Sequence, residues 1–209
     1  KFGPVHGILL DLGFSSSTLE RGRGFSFDPP DGGDEVLDMR FDATSGIRAA
    51  EIVNGWNQRQ LTELFEEYSE ERLAQEIADK VVEERKKKPI VMTRQLVEVI
   101  LAVYREKLHS TKEVPWIGGI HPATKIFQAL RIEVNDELGA LQDVLPQAVE
   151  VLAPLGRLAV ITFHSLEDRI VKQFFRDWPD QKLKILTKKS VIPTDSEIKE
   201  NPRARSAKL

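Results

Sequence analysis

At 209 residues, 41% of them hydrophobic, the chain is long enough for one substantial core or for a domain carrying a smaller inserted one. It has no cysteine, which excludes disulfides and thiolate metal sites, and no apolar run approaches the roughly 18 to 20 residues of a membrane span. The net charge of −3 is uneven: residues 182–209 hold eight Lys or Arg against three acidic residues, a basic segment that is either solvated or in contact with phosphate. The first residues lack the layout of a signal peptide, so the expectation is a soluble cytoplasmic protein with no membrane partner.

The first element is the run VHGILLDL at 5–12, short, apolar and followed by Gly13, which predicts a strand buried on both faces as in a parallel sheet. A helical tract follows. Leu61, Leu64, Phe65 and Tyr68 recur at helical spacing, as do Leu73, Ile77, Val81 and Val82, and then Leu96, Val97, Ile100 and Tyr104 behind a Thr93 cap. These helices need one another to bury their stripes, so residues 45–119 read as an inserted helical subdomain that closes at PWIGGIHP. The run EERKKK at 83–88 ends one helix, where cations suit the helix dipole or face RNA. From Ala123 a long helical pattern runs on, with a kink or restart expected at Pro146. The second strand is expected at 157–163, entered through the turn APLG, and a further strand in LKILTKKSVI at 183–192. A short helix is expected to start at Asp195 or Ser196.

In a parallel sheet, ligands sit beyond the carboxyl ends of the strands, so residues 11–17 and 164–169 should face one crevice. Asp11 supplies two acceptor oxygens there, Gly13 allows a sharp turn, and Ser15 and Ser16 add adjustable hydroxyls suited to an amine or another polar ligand. Asp11 and Ser15 could equally cap the next segment. In FHSLEDR, Ser165 and Asp168 have the spacing of a capping box, and the first N–H groups of that helix could take an anion. A Ser/His/Asp hydrolase built on His164, Ser165 and Asp168 is rejected, because neighbouring residues diverge in direction and no Gly-x-Ser-x-Gly elbow is present. DPPD at 28–31 reads as a proline turn, and histidines 6, 109, 121 and 164 show no metal spacing, so no metal is expected.

GILLDLGFSS, RGFSF with LDMRFD, HPATKIFQALRIEVNDEL, GRLAVITFHSLEDRIVKQFF and ENPRARSAKL follow one another from end to end of the chain. Together they resemble the MraW-type family of small-subunit ribosomal RNA cytidine N4-methyltransferases. The resemblance implies an α/β fold, a partial Rossmann-like class I methyltransferase sheet (1–44 and 120–209) interrupted by the helical substrate-recognition domain at 45–119. It implies S-adenosyl-L-methionine as cofactor and 16S rRNA of the small ribosomal subunit as partner. Asp11 matches the family's cofactor-contacting Asp; the family's second contact, a Gln seven residues on, is Thr18 here, and its Pro-Gly-Gly turn is Pro154, Leu155, Gly156. The family's glycine-rich cofactor loop lies upstream of the DLG block and a final strand lies beyond RSAKL, so the 209 residues read as an internal portion of such an enzyme, expected to be inactive alone.

Methylating a cytosine amine requires a positioned acceptor for its N–H, a role that falls to Asp11, Ser15 and Ser16, with Asp11, Gly13 and Thr18 meeting the cofactor. The base must leave its stack. Phe14, Phe25 and Phe27 are candidates to stack on it or to be core, and Arg131, His164, Ser165, Arg169, Arg203 and Arg205 to hold the RNA. The competing reading is a non-catalytic RNA-binding fragment; a DNA amino methyltransferase is a distant third.

Overall fold

The computed structural model describes residues 3–13, 22–27, 32–109, 120–179 and 183–209. It divides the chain into two compact units, residues 15–136 and residues 1–14 with 137–209. The first of these is helical: α1 (Ala49–Gly55), α2 (Gln58–Ser69), α3 (Ala74–Lys87), α4 (Thr93–Lys107) and α5 (Ala123–Asn135). The expected stripes form its core, with Leu61, Phe65, Ile77, Val81, Leu96 and Ile100 wholly buried. Local signals set the ends. Asn57 caps α2 by accepting from Gln60 N at 2.9 Å while the Gln60 side chain accepts from Asn57 N at 3.0 Å, and the helix stops at Glu70 in the left-handed region.

One expectation for this unit is corrected. Thr93 is not the cap of α4; Met92 is, and Gln95 accepts from its N–H at 3.0 Å. Thr93 is buried instead, donating to Asp34 Oδ1 at 3.0 Å and accepting from Glu35 N at 3.3 Å, because the preceding loop offers it partners outside the helix. The compact unit spans residues 15–136. Leu37, Met39, Ile126, Phe127 and Leu130 all belong to its core, so the LDMRFD loop and α5 pack with the helices. Within the basic run, Arg85 serves the fold: it donates to the carbonyls of Val53 and Trp56 at 2.7 and 2.6 Å, at the carboxyl end of α1.

The other unit holds a two-stranded parallel sheet, β1 (Val5–Asp11) and β2 (Leu152–Ile161), with α6 (Glu137–Glu150) before β2 and α7 (Ser165–Asp177) after it. Leu141, Leu145, Val160 and Val171 form its core. The helical run breaks at Asp136, which adopts the left-handed conformation, and not at Pro146, which lies inside α6. The APLG turn is a bulge within β2: Val5 pairs with Leu152 but Gly7 with Arg157. Here Leu155 is fully exposed at φ +66°, and a Cβ on Gly156 would meet Ala153 O at 2.8 Å.

No strand forms over 183–192. Leu186 and Ile192 are about two-thirds exposed, and only Val191 makes a ladder-like pair, exchanging hydrogen bonds with Leu209. Apolar β-forming composition does not make a strand by itself. The expected short helix does form as α8 (Asp195–Glu200), capped by Thr194, and a 3₁₀ turn follows at Pro202–Ser206. The chain then returns to the sheet, where Lys208 exchanges backbone hydrogen bonds with Thr162 at 2.8 and 2.9 Å.

Candidate functional site

The parallel register carries β1 and β2 to the same edge. Asp11 pairs with Ile161, and Leu12 N donates to Ile161 O at 3.0 Å. Asp11 is exposed, so its carboxylate stands free of the core at the strand end. Gly13 follows at φ +97°, a conformation that an L side chain rarely adopts, and the Cβ it lacks would sit 3.7 Å from the Phe163 ring. The turn after β1 and the segment after β2 are therefore in contact, as expected for the mouth of a parallel pair.

Beyond Phe163, the α7 cap is displaced by one residue from the expected Ser165/Asp168 box. His164 is the cap and Glu167 the third helical residue. Glu167 Oε2 accepts from Phe163 N at 2.8 Å and His164 N at 3.3 Å, and His164 Nδ1 faces Glu167 N at 3.5 Å. An imidazole acceptor can substitute for a cap hydroxyl, and Glu supplies the reciprocal arm better than Asp at this reach. The N–H groups of Glu167 and Asp168 are both engaged within this cap. Glu167 and Asp168 add negative charge to the first turn of α7, which opposes an anion there.

Burial opposes ionisation of Glu167, but the His164 imidazole and the two main-chain N–H groups outweigh it and hold the carboxyl below its ordinary range. His164 Nε2 lies 3.2 Å from Glu167 Oε1, yet its N–H direction makes no hydrogen bond, so the contact is an attraction of charge when the ring is protonated. Glu137 adds a third group: ligand atoms of Glu137, His164 and Glu167 all lie within 4.8 Å of one another. The histidine spacing did not foretell this cluster, the one grouping among the described residues that could hold a metal ion. The cap accounts for Glu167 and for one ring nitrogen of His164. For Asp168, burial again acts against ionisation and Lys172 and Lys208, at 2.8 and 3.1 Å, prevail, which lowers its pKa.

Of the other expected site residues, Ser165 and Arg169 are exposed on α7, and Arg203 and Arg205 are exposed on the 3₁₀ turn, where Asn201 caps Arg203 N at 3.3 Å. Arg131 lies half-buried on α5 in the helical unit. Phe14, Ser15, Ser16 and Thr18 lie outside the described residues, as do DPPD and residues 110–119. Phe25 and Phe27 pack against the helical core, and Phe27 meets Phe127 edge-on at 5.0 Å. Charged clefts along α3 and α4 are lined by Lys80, Glu83, Glu84 and Lys87, which pair with one another, so they form a solvated ion-pair face.

Arg23, the first residue of the RGFSF block, carries no sequence signal of its own; its surroundings depend on residues 35–41, too far along the chain for spacing to reveal.

No helix among the described residues is long and apolar enough to cross a membrane. Over residues 1–209 the chain matches the MraW methylase family. It is 46% identical to the ribosomal RNA small subunit methyltransferase H of Sulfurihydrogenibium sp. over 98% of its length and 67% of that protein. It is 48% identical to the protein of the same name from Picosynechococcus sp., over 97% of this chain and 65% of that one. The likeness to the Coprothermobacter proteolyticus protein of that name is 47%, covering 100% of this chain and 66% of the relative. The chain thus spans about two-thirds of the length of these relatives, and with a match from its first residue to its last it belongs to the MraW methylase family.

Proposed function

We propose that the protein is an S-adenosyl-L-methionine-dependent methyltransferase acting on the N4 amine of a cytidine in the decoding region of 16S rRNA, with a Rossmann-like sheet carrying the chemistry and an inserted helical domain recognising the RNA. The observation that carries this reading is the exposed Asp11 carboxylate at the end of β1, beside the Gly13 turn and the segment that leads to His164. It is supported by relatives named as small-subunit ribosomal RNA methyltransferases.

The strand-end arrangement suits the cofactor: a carboxylate free of ion pairs among the described residues, and a glycine turn that leaves room beside it. Asp11, Gly13 and Thr18 would hold it. When bound, it supplies an electrophilic methyl group. The nucleophile is an amine whose lone pair is delocalised into the cytosine ring, so the protein's task is orientation. Asp11 accepts an N–H hydrogen bond from the amine and favours pyramidalisation of the nitrogen, Ser15 and Ser16 position it, and the surplus proton leaves through the carboxylate to water. Phe14 stacks on the flipped base, while Arg131, His164, Ser165, Arg169, Arg203 and Arg205 hold the flanking RNA.

The test is transfer of labelled methyl groups to small-subunit rRNA by a chain completed to the length of its relatives. Asp11→Ala should reduce transfer at least ~100-fold, the scale of losing one oriented polar group in a transition state. Near-normal turnover would overturn the assignment of Asp11, and RNA binding without any transfer would favour a binding role alone.

A further inference from the structure

The RGFSF block contains a guanidinium held ready for an anion. Arg23 Nε and Nη2 are both buried, and among the described residues neither meets a hydrogen-bond acceptor. In the planar guanidinium these two nitrogens share one edge, the edge that grips two oxygens of a phosphate or carboxylate at once. The remaining nitrogen, Nη1, donates to Phe41 O at 3.3 Å, and the guanidinium carbon lies 5.7 Å from the centroid of the Phe25 ring. Arginine cannot shed its charge, so leaving this fork buried without an acceptor is costly.

The backbone around the side chain is fixed as well. Arg23 O accepts from Met39 N at 2.7 Å, and Gly24 N donates to Glu35 Oε2 at 2.7 Å. Gly24 has φ +82°, and a Cβ there would lie 2.5 Å from Val36 O, so the chain approaches the 35–39 segment as closely as only glycine permits. The other cation of this loop is already matched: Arg40 meets both oxygens of Asp38 at 2.8 Å, and its hydrogen bond lowers the pKa of Asp38. Two arginines thus stand in one loop system, one with a bidentate carboxylate and the other with the equivalent edge buried and, among the described residues, unpaired.

We propose that the Nε/Nη2 edge of Arg23 binds a backbone phosphate of the RNA substrate. The choice of a nucleotide over a small anion rests on the aromatic pair beside it. Phe41 is 38% exposed and stacks on Phe25 at 5.6 Å with the rings 13° apart, and aromatic rings are the side chains on which unpaired RNA bases stack. The inference builds on the RNA-methyltransferase reading given above and adds a phosphate anchor in the helical unit.

The experiment measures binding of a fluorescent RNA oligonucleotide of the small-subunit decoding region across a salt series, for the wild-type chain, Arg23→Gln and Arg23→Lys, with thermal melting of each. Arg23→Gln should weaken binding by about 5- to 20-fold and lower the salt dependence by about one phosphate contact, with melting unchanged or raised. Arg23→Lys should recover the salt dependence but only part of the affinity, because a point charge cannot make the two-pronged contact. Unchanged RNA affinity in Arg23→Gln would overturn the proposal, whether melting fell, as for a structural arginine, or calorimetry showed loss of S-adenosylmethionine binding, as for a cofactor-carboxylate anchor. Failure of the wild-type chain to bind the RNA at all would instead count against the RNA-methyltransferase reading on which the anchor rests.

Discussion

The helical unit closes on itself and the sheet unit does not. In the first, Phe65, Ile77, Leu96, Ile100 and Leu130 are at or near zero exposure, and even the buried Glu71 is satisfied by the Tyr104 hydroxyl at 2.9 Å. Burial and the Glu71 carboxylate together push the Tyr104 hydroxyl above its usual range. In the second, β1 carries the apolar run Ile8–Leu10, yet Leu9 is 63% exposed on a sheet of two strands among the described residues. A helix satisfies its own backbone and needs only one covered stripe, whereas a strand depends on neighbours for its hydrogen bonds and for both faces. The Asp11 strand end belongs to the unit with the smaller core.

Substitutions can break this contrast. Phe65→Ala should destabilise the helical unit by about 3 to 5 kcal/mol, the cost of removing a fully buried aromatic, whereas Leu9→Thr should change the stability of the sheet unit by less than about 0.5 kcal/mol. Separate melting transitions, followed by calorimetry, would report each; a large loss from Leu9→Thr would mean that its face is covered in solution.

A smaller effect of opposite sign is expected at the bulge in β2. Leu155 is fully exposed and holds φ +66°, so its side chain contributes strain and no burial. Leu155→Gly should stabilise the sheet unit by about 1 kcal/mol, and an unchanged or lower melting temperature would refute that account.

The smallest effect is a dependence on acid. The carboxyl of Glu167 is held below its ordinary value of 4.5, so the unfolded chain takes up the proton more readily than the folded one. The contribution of Glu167 to stability is therefore present above about pH 4.5 and is lost as the pH falls through the lower, folded value. Glu167→Gln should flatten the acid limb of the sheet unit's stability curve; an identical limb in the variant would show that other groups set it.

Much of the helical unit was legible because helical order is local. Leu61, Leu64 and Phe65, or Leu96 and Ile100, declare a buried face by spacing alone, and the start of α8 at Asp195 was legible too. Caps were less legible: at Thr93 and Ser165, plausible hydroxyls were displaced by Met92 with Gln95 and by His164 with Glu167, because the winning partner depends on what the preceding loop supplies. Residues 183–192 show the same limit for strands, since β-forming composition does not decide whether a segment pairs.

For the site, the sequence alone established Asp11 as a polar residue at a strand end, the Gly13 turn, the second strand leading to His164, and the family to which these words belong. Only the tertiary structure decided that Asp11 aligns with Ile161, that Glu137 joins His164 and Glu167, and that Arg23 keeps an unpaired edge near the stacked Phe25 and Phe41. Periodicity and turn chemistry are properties of neighbours along the chain. Register, charge clusters and unsatisfied donors are properties of residues brought together from distant positions, and they exist only once the core has chosen which segments meet.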